Sequence, residues 1–350
     1  MAFNILCIDG GGIRGVFPAK ILEQLEAELQ AKDKKNWQVY QHFDLICGTS
    51  TGGILAIALA LGVPAKEIFE LYIDNADTIF GNKRRLIFGQ FRHSSHNREA
   101  LEKLIREKFQ SINNNQDPRL KDCKTSVCIP IYDLLIGKPS VLKTGHHPRF
   151  TRDYHIPAYQ VALGTSAAPT YFDPYSTSYT DLNGTLKSFS NKVDGGVVAN
   201  NPTLLGIIEA QTAFYQDLAN INVLSLGTGN QKFTDGKNRK NWGIFYWMLK
   251  NKKRRIIDLF MQAQSQQTEN LISLLQFGID AENRENPKFK YMRINTDLDD
   301  TLKVDMDTTD KDILTRLAEK GSHEFHNNAT NIMETYCNGR GRPNSEENVL

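Results

Sequence analysis

The chain has 350 residues, 40% of them hydrophobic, enough to bury a large core as one elaborated α/β domain or as two smaller ones. Its 42 Lys and Arg against 40 Asp and Glu leave a net charge of +2, which removes any global electrostatic case for binding DNA, RNA or a membrane. No apolar run reaches the roughly 18 residues of a membrane-spanning helix, and Asp9 interrupts the N-terminal apolar stretch too early for a signal peptide. With five cysteines and no C-x-x-C, the sequence reads as a soluble protein of the reducing cytosol.

The first predicted strand, 3–8, runs into Asp9-Gly10-Gly11-Gly12-Ile13-Arg14-Gly15, and a helical pattern follows from Val16 to Leu29. A glycine loop in that position offers a row of free backbone amides. Amides aimed at one point are what an acyl-transfer transition state needs, since its carbonyl oxygen becomes an anion; losing one such donor costs roughly 3 to 4 kcal/mol. Gly10 to Gly15 also fit G-x-G-x-x-G, the phosphate loop of a nucleotide-binding domain. That rival calls for a second strand ending in an acidic residue about 20 residues on. Here the corresponding stretch, Lys32 to Asn36, is polar and loop-like, and no G-x-x-x-x-G-K-[ST] occurs.

The second predicted strand, 43–47, ends in Gly48-Thr49-Ser50-Thr51-Gly52, and the apolar helical run Gly53 to Ala60 follows. A bare G-x-S-x-G is common in unrelated loops. Between a strand and a helix it reads as a nucleophile elbow, because flanking glycines permit the strained turn that holds a serine hydroxyl at a helix N-terminus. Further strands are predicted at 125–132, 139–144, 191–193, 222–227 and 288–294, with helical patterns between most of them. The 191–193 strand leads into Asp194-Gly195-Gly196, a carboxylate on a bend that glycine permits.

Histidine is the usual base for a serine nucleophile. His146, His147 and His155 precede Asp194, whereas the α/β-hydrolase order requires a histidine after the acid, and only His323 and His326 qualify. Both lie in a charged helical pattern, 312–333, where structural histidines are expected. No histidine cluster has zinc spacing to nearby cysteines or carboxylates, so neither a metal nor any other cofactor is expected.

Two segments, 79–88 and 242–255, set aromatic beside basic residues. Either could lie at a lipid interface or bind a phosphate-bearing regulator, and either could equally be a core helix edge with a solvated charge run. Helical patterns at 254–277 and 310–336 lie beyond these motifs. Asn113 to Gln116 and the tail 338–350 read as loop or disorder.

D-G-G-G-x-R-G, G-T-S-T-G and D-G-G, in that order, resemble the patatin-like phospholipase family. Ala162 to Phe172 and Leu224 to Gly229 are similar to further family segments, so the resemblance covers about residues 3–230. It implies a three-layer α/β/α sandwich with a mostly parallel central sheet. By the same resemblance Ser50 is the nucleophile, Asp194 its partner in a Ser/Asp dyad, Gly10, Gly11 and Gly12 the oxyanion hole, and Arg14 the family arginine. Gly48, Gly52, Gly195 and Gly196 are the motif glycines. The implied activity is hydrolysis of fatty-acyl esters in membrane phospholipids at the bilayer surface. Bacterial members of this size include effectors of anti-phage signalling activated by cyclic oligonucleotides, which this chain resembles in its compact build, and a homo-oligomer fits that role. The expected organisation is a catalytic core over 1–230, a helical extension over 231–337 and a polar tail over 338–350.

Overall fold

The computed structural model describes residues 2–81, 96, 98–230, 247, 255–279, 286–298 and 302–338. The aromatic and basic segments at 82–88 and 242–254 lie outside them apart from Trp247, as does the tail beyond 338.

Among the described residues, eight strands form one sheet: β1 (Phe3–Ile8), β2 (Leu45–Gly48), β3 (Ser126–Asp133), β4 (Lys138–Lys143), β5 (Tyr175–Thr180), β6 (Leu186–Asp194), β7 (Ile221–Leu226) and β8 (Lys290–Ile294). Their order is β5-β6-β3-β2-β1-β7-β8, with β4 also on β3. The pairs β3/β2, β2/β1, β1/β7 and β7/β8 are parallel, while β3/β4, β3/β6 and β6/β5 are antiparallel. The segment beyond residue 230 contributes the edge strand β8 to the sheet.

The helices are α1 (Val16–Lys32), α2 (Thr51–Leu61), α3 (Ala65–Phe80), α4 (Glu99–Ser111), α5 (Ala158–Thr165), α6 (Gly196–Ala199), α7 (Thr203–Thr212), α8 (Arg255–Phe277) and α9 (Lys311–Ile332). Side chains along β1 alternate between two cores, as period-2 geometry requires. Leu6 and Ile8 join Ile46, Val127 and the apolar faces of α1 to α5 and α9, whereas Phe3, Ile5 and Cys7 join Leu45, Cys47, Ile207 and Ile272 from β2, α7 and α8. The result is the α/β/α sandwich. Helix α2 is buried over its whole length, which is why its sequence, TGGILAIALAL, has no polar face. The five cysteines are free, and Cys7, Cys47 and Cys128 stand in register across β1, β2 and β3, packed as small apolar groups.

Two elements differ from expectation. β5 is absent from the predicted strands because YSTSYT lies at the sheet edge, half exposed, and carries no apolar alternation. β6 reaches back to Leu186, where the pattern pointed only to 191–193; its first three residues are exposed and polar or isolated, and only its last three are buried together.

Candidate active site

The sheet's connectivity brings two strand ends together. Cys128 of β3 pairs with both Cys47 of β2 and Lys143 of β4, so β2 and β4 lie on opposite edges of β3. Ile131 pairs with both Ser140 of β4 and Asp194 of β6, so β6 lies on the same edge as β2. β2 climbs that edge in parallel and β6 descends it antiparallel, so their C-terminal ends meet. Ser50, just past the end of β2, therefore meets Asp194, the last residue of β6. The Ser50 hydroxyl donates to Asp194 Oδ2 at 2.6 Å.

Ser50 has φ 55° and ψ −122°, a positive-φ conformation that costs a non-glycine residue about 1 to 3 kcal/mol. Its surroundings hold it there. Its N–H donates to Thr165 Oγ1, whose hydroxyl donates to the Pro130 carbonyl on β3, and its carbonyl accepts from Gly53 and Ile54 at the start of α2. The flanking glycines are steric requirements: a Cβ on Gly48 would stand 2.0 Å from the Gly52 carbonyl oxygen, and one on Gly52 would stand 2.2 Å from that of Ile8.

Asp194 is buried, 2% exposed, and burial pushes its carboxyl up to about 7, against the pull of hydrogen bonds from Ser50 and from the Gly196 amide, which donates to Oδ1 at 2.6 Å. A Cβ on Gly195 would meet the Pro130 carbonyl oxygen at 2.2 Å, so this turn also is pressed against β3.

The glycine loop stands beside the pair. Gly10 lies closest, since a Cβ on it would stand 3.2 Å from Ser50 Cβ, but its amide already donates to the Asn200 carbonyl at 3.0 Å. The amides of Gly11 and Gly12 donate to no group among the described residues. Gly12 has φ 59°, which glycine accepts without strain. Arg14 sits one turn on, its Nε donating to the Gly11 carbonyl at 3.3 Å; burial pulls its guanidinium below the usual arginine value.

Gly12, Ser50 and Asp194 open into one cleft, walled by Ile54, Ile79, Phe80, Leu101, Phe172 and Met261. Its cavity volume is about 40 Å³, inside an envelope of about 530 Å³ that runs out to the open mouth. It is thus a narrow apolar slot.

One residue invisible to the motifs supports the loop. Arg293 on β8 donates through both terminal nitrogens to the two Asp9 oxygens, at 3.0 and 2.5 Å, and to Ser225 at 2.8 Å, with Glu269 3.1 Å away. Burial raises the Asp9 carboxyl against the downward pull of Arg293, whose bidentate contact occupies both of its oxygens. Asp9 is the residue before Gly10, so this pair fixes the root of the loop.

No histidine among the described residues bonds Ser50 or Asp194. His146 shares its ring nitrogens between Thr144 and Glu209, His326 bonds the Ser322 carbonyl of its own helix, and His155 meets the Leu182 amide. The fold does bring Cys128 and Glu209 to His146, with potential ligand atoms within 4.8 Å, although all are distant in sequence. The Lys143 ammonium is bonded to Glu209 there, so the group is an ion-paired network. A dinucleotide fold carries its ribose-binding acid at the end of its second strand. In this chain Gly48, Thr49 and Ser50 occupy that place.

No helix among the described residues is long and apolar enough to cross a membrane.

The family model described as patatin-like phospholipase matches residues 6–207. Patatin-like protein 2 of Arabidopsis thaliana is 32% identical over 380 residues, covering 99% of this chain and 89% of that protein. A cGAMP-activated phospholipase of Escherichia coli (strain TW11681) is 32% identical over 283 residues, 77% of this chain and 74% of its own. A cGAMP-activated phospholipase of Vibrio cholerae serotype O1 is 34% identical over 245 residues, covering 66% of this chain and 65% of that one. Among solved structures, VipD from Legionella pneumophila aligns with 96% of this chain and 67% of its own at a TM-score of 0.42 and 11% identity.

Proposed function

The chain belongs to the patatin-like phospholipase family, and from that premise we propose that it is a serine acyl hydrolase cleaving fatty-acyl esters of membrane phospholipids with Ser50 and Asp194. The observation that carries this reading is the 2.6 Å hydrogen bond from Ser50 Oγ to a buried carboxylate at the floor of an apolar slot.

A serine hydroxyl attacks only when a base takes its proton. A carboxylate of ordinary pKa is a poor base at neutral pH, and Asp194, held at about 7, is a better one. As Ser50 Oγ bonds to the ester carbonyl carbon, its proton passes to Asp194 Oδ2. The carbonyl oxygen becomes an oxyanion received by the Gly11 and Gly12 amides, with the N-terminus of α2 adding its dipole. Gly10 shapes the loop through Asn200 and leaves donation to its neighbours. Collapse expels the lysophospholipid alkoxide, which takes the proton from Asp194, and leaves an acyl-serine. Water, deprotonated by the same carboxylate, then releases the fatty acid. The slot walled by Ile54, Leu101 and Phe172 accommodates the acyl chain, whose burial is worth about 0.8 kcal/mol per methylene.

The cGAMP-activated relatives support a cyclic oligonucleotide as activator. Residues 1–230 hold the motifs, and residues 231–337 are the place for a regulatory or oligomer contact. The test is fatty-acid release from mixed anionic vesicles by wild type and Ser50→Ala, each with and without a panel of cyclic di- and trinucleotides. Release by wild type and none by Ser50→Ala is expected; release without nucleotide means a constitutive lipase, and release only with one nucleotide identifies the activator. An active Ser50→Ala would refute the mechanism, and strong inhibition by EDTA would point to a metal-dependent one.

A further inference from the structure

The β3–β4 hairpin ends in Asp133-Leu134-Leu135-Ile136-Gly137-Lys138. Leu134, Leu135 and Ile136 are 50%, 57% and 59% exposed. Three consecutive large aliphatic side chains in water at a hairpin tip are a stability liability with no packing role. The tip is nevertheless well defined. The Leu134 amide donates to the Asn191 carbonyl at 3.1 Å, the Leu135 amide to Asp133 Oδ1 at 3.0 Å, and Gly137 takes the φ of 65° that closes the turn. These apolar groups are held out by a built turn.

Their position relates them to the cleft. β3 runs parallel to β2, so the tip projects from the same end of the sheet as Ser50 and the glycine loop. Asp194 pairs with Ile131, and Leu134 lies three residues further on, about 10 Å at the rise of a strand. At the same end, Val197 is 43% exposed just after the Asp194 turn, and Phe260 is 59% exposed beside Met261, which lines the cleft. The two are joined where the Gln264 side chain of α8 donates to the Val197 carbonyl. The mouth of an apolar slot and an apolar hairpin tip therefore share one rim.

Charge on the hairpin selects the partner. Asp133 is neutralised by Lys192, whereas Lys138, exposed next to the tip, pairs with no carboxylate among the described residues. A second protein would supply packed apolar surface to such a tip. A bilayer supplies apolar depth with phosphates above it, and so matches aliphatic groups at the point and a cation at the shoulder.

We propose that Leu134, Leu135 and Ile136 form an insertion tip that enters an anionic phospholipid bilayer, with Lys138 at headgroup level, and holds the cleft mouth against the lipid. This rests on the phospholipase reading above, since the cleft then draws its substrate from the surface on which the tip rests.

The triple variant Leu134→Ser, Leu135→Ser, Ile136→Ser tests it, because these exposed side chains carry no core packing. Binding to vesicles of phosphatidylglycerol and phosphatidylcholine is measured by co-sedimentation, beside fatty-acid release from the same vesicles and from detergent-dispersed phospholipid. At least tenfold weaker vesicle binding and vesicle hydrolysis are expected, with hydrolysis in detergent unchanged. In a separate Leu135→Trp variant, tryptophan emission should shift to the blue on vesicle addition. Equal vesicle binding by wild type and triple variant overturns the proposal, as does a wild-type dimer in solution that the triple variant dissociates, which would assign the tip to a second copy. Absence of wild-type hydrolysis in detergent with the panel of cyclic nucleotides present would instead sink the phospholipase reading, and vesicle binding would still report on the tip.

Discussion

Two buried carboxylates in this protein have been pushed up to about 7 by the same cause, and they face different things. Glu26 on α1 is 4% exposed and spends one oxygen on the Val39 amide at 3.0 Å and the other on the Ala65 amide at 2.6 Å. It ties three chain segments together inside the helical layer, and neither partner can give up its proton. Asp194 spends one oxygen on the Gly196 amide and the other on the Ser50 hydroxyl, at the floor of an open cleft. Burial raises both groups. In the mechanism proposed above, only the one facing a hydroxyl in a cleft has work for a base, so a shifted pKa marks a candidate site only when geometry gives the proton somewhere to come from.

Substitutions at the two positions should separate these roles. Asp194→Asn keeps the shape and removes the proposed base. Turnover of a phospholipid substrate is expected to fall by at least about a thousandfold, the range of a lost general base compounded with a lost partner for the nucleophile. Its stability should move the other way. A carboxyl with a folded-state pKa above its unfolded value binds more protons when folded, so stability falls as pH rises from about 4 to about 7 and the cost is fully present above that. That cost is on the order of a few kcal/mol. Melting curves above pH 7 should therefore show Asp194→Asn at least as stable as wild type, and a clear loss would mean that Asp194 is structural like Glu26.

Arg293→Met probes the support of the glycine loop. It strands the Asp9 carboxylate in the interior, and chemical denaturation should register a loss of about 3 to 5 kcal/mol. Glu26→Ala leaves two amides unsatisfied and a small void, and an expected loss of about 2 to 4 kcal/mol should come with turnover near wild type at temperatures where the variant is folded. A dead but stable Glu26→Ala would erase the distinction. The smallest effect is in the pH profile. With Asp194 as base, kcat/KM should rise with pH and level off near 7, falling tenfold per pH unit on the acid side, whereas a profile flat from pH 5 to 8 would remove Asp194 from proton transfer.

The turns that hold Ser50 and Asp194 were legible because their constraints are local. Gly48 and Gly52 are demanded by backbone oxygens close to where a Cβ would be, and such positions announce themselves as glycine. The alternation of strand and helix pointed to the sandwich, and β1 and β7 are continuous buried runs at its centre. What escaped was non-local or half-solvated. Asp9 and Arg293 are 284 residues apart, and nothing in either neighbourhood points to the other. The commitment of the Gly10 amide to Asn200 depends on a strand order that the sequence does not spell out. β5, all Ser, Thr and Tyr, has no apolar face to advertise it. The pKa of Asp194 likewise comes from burial among residues scattered over the chain.

Covalent labelling by a fluorophosphonate, read by intact mass and peptide mapping on wild type and Asp194→Asn between pH 5 and 9, addresses the Ser50–Asp194 pair without relying on any particular lipid. One adduct on Ser50 is predicted, forming faster as pH rises to about 7 and at least about a hundredfold more slowly in Asp194→Asn. An adduct on another residue, or equal rates in the two proteins, would contradict a Ser50–Asp194 dyad.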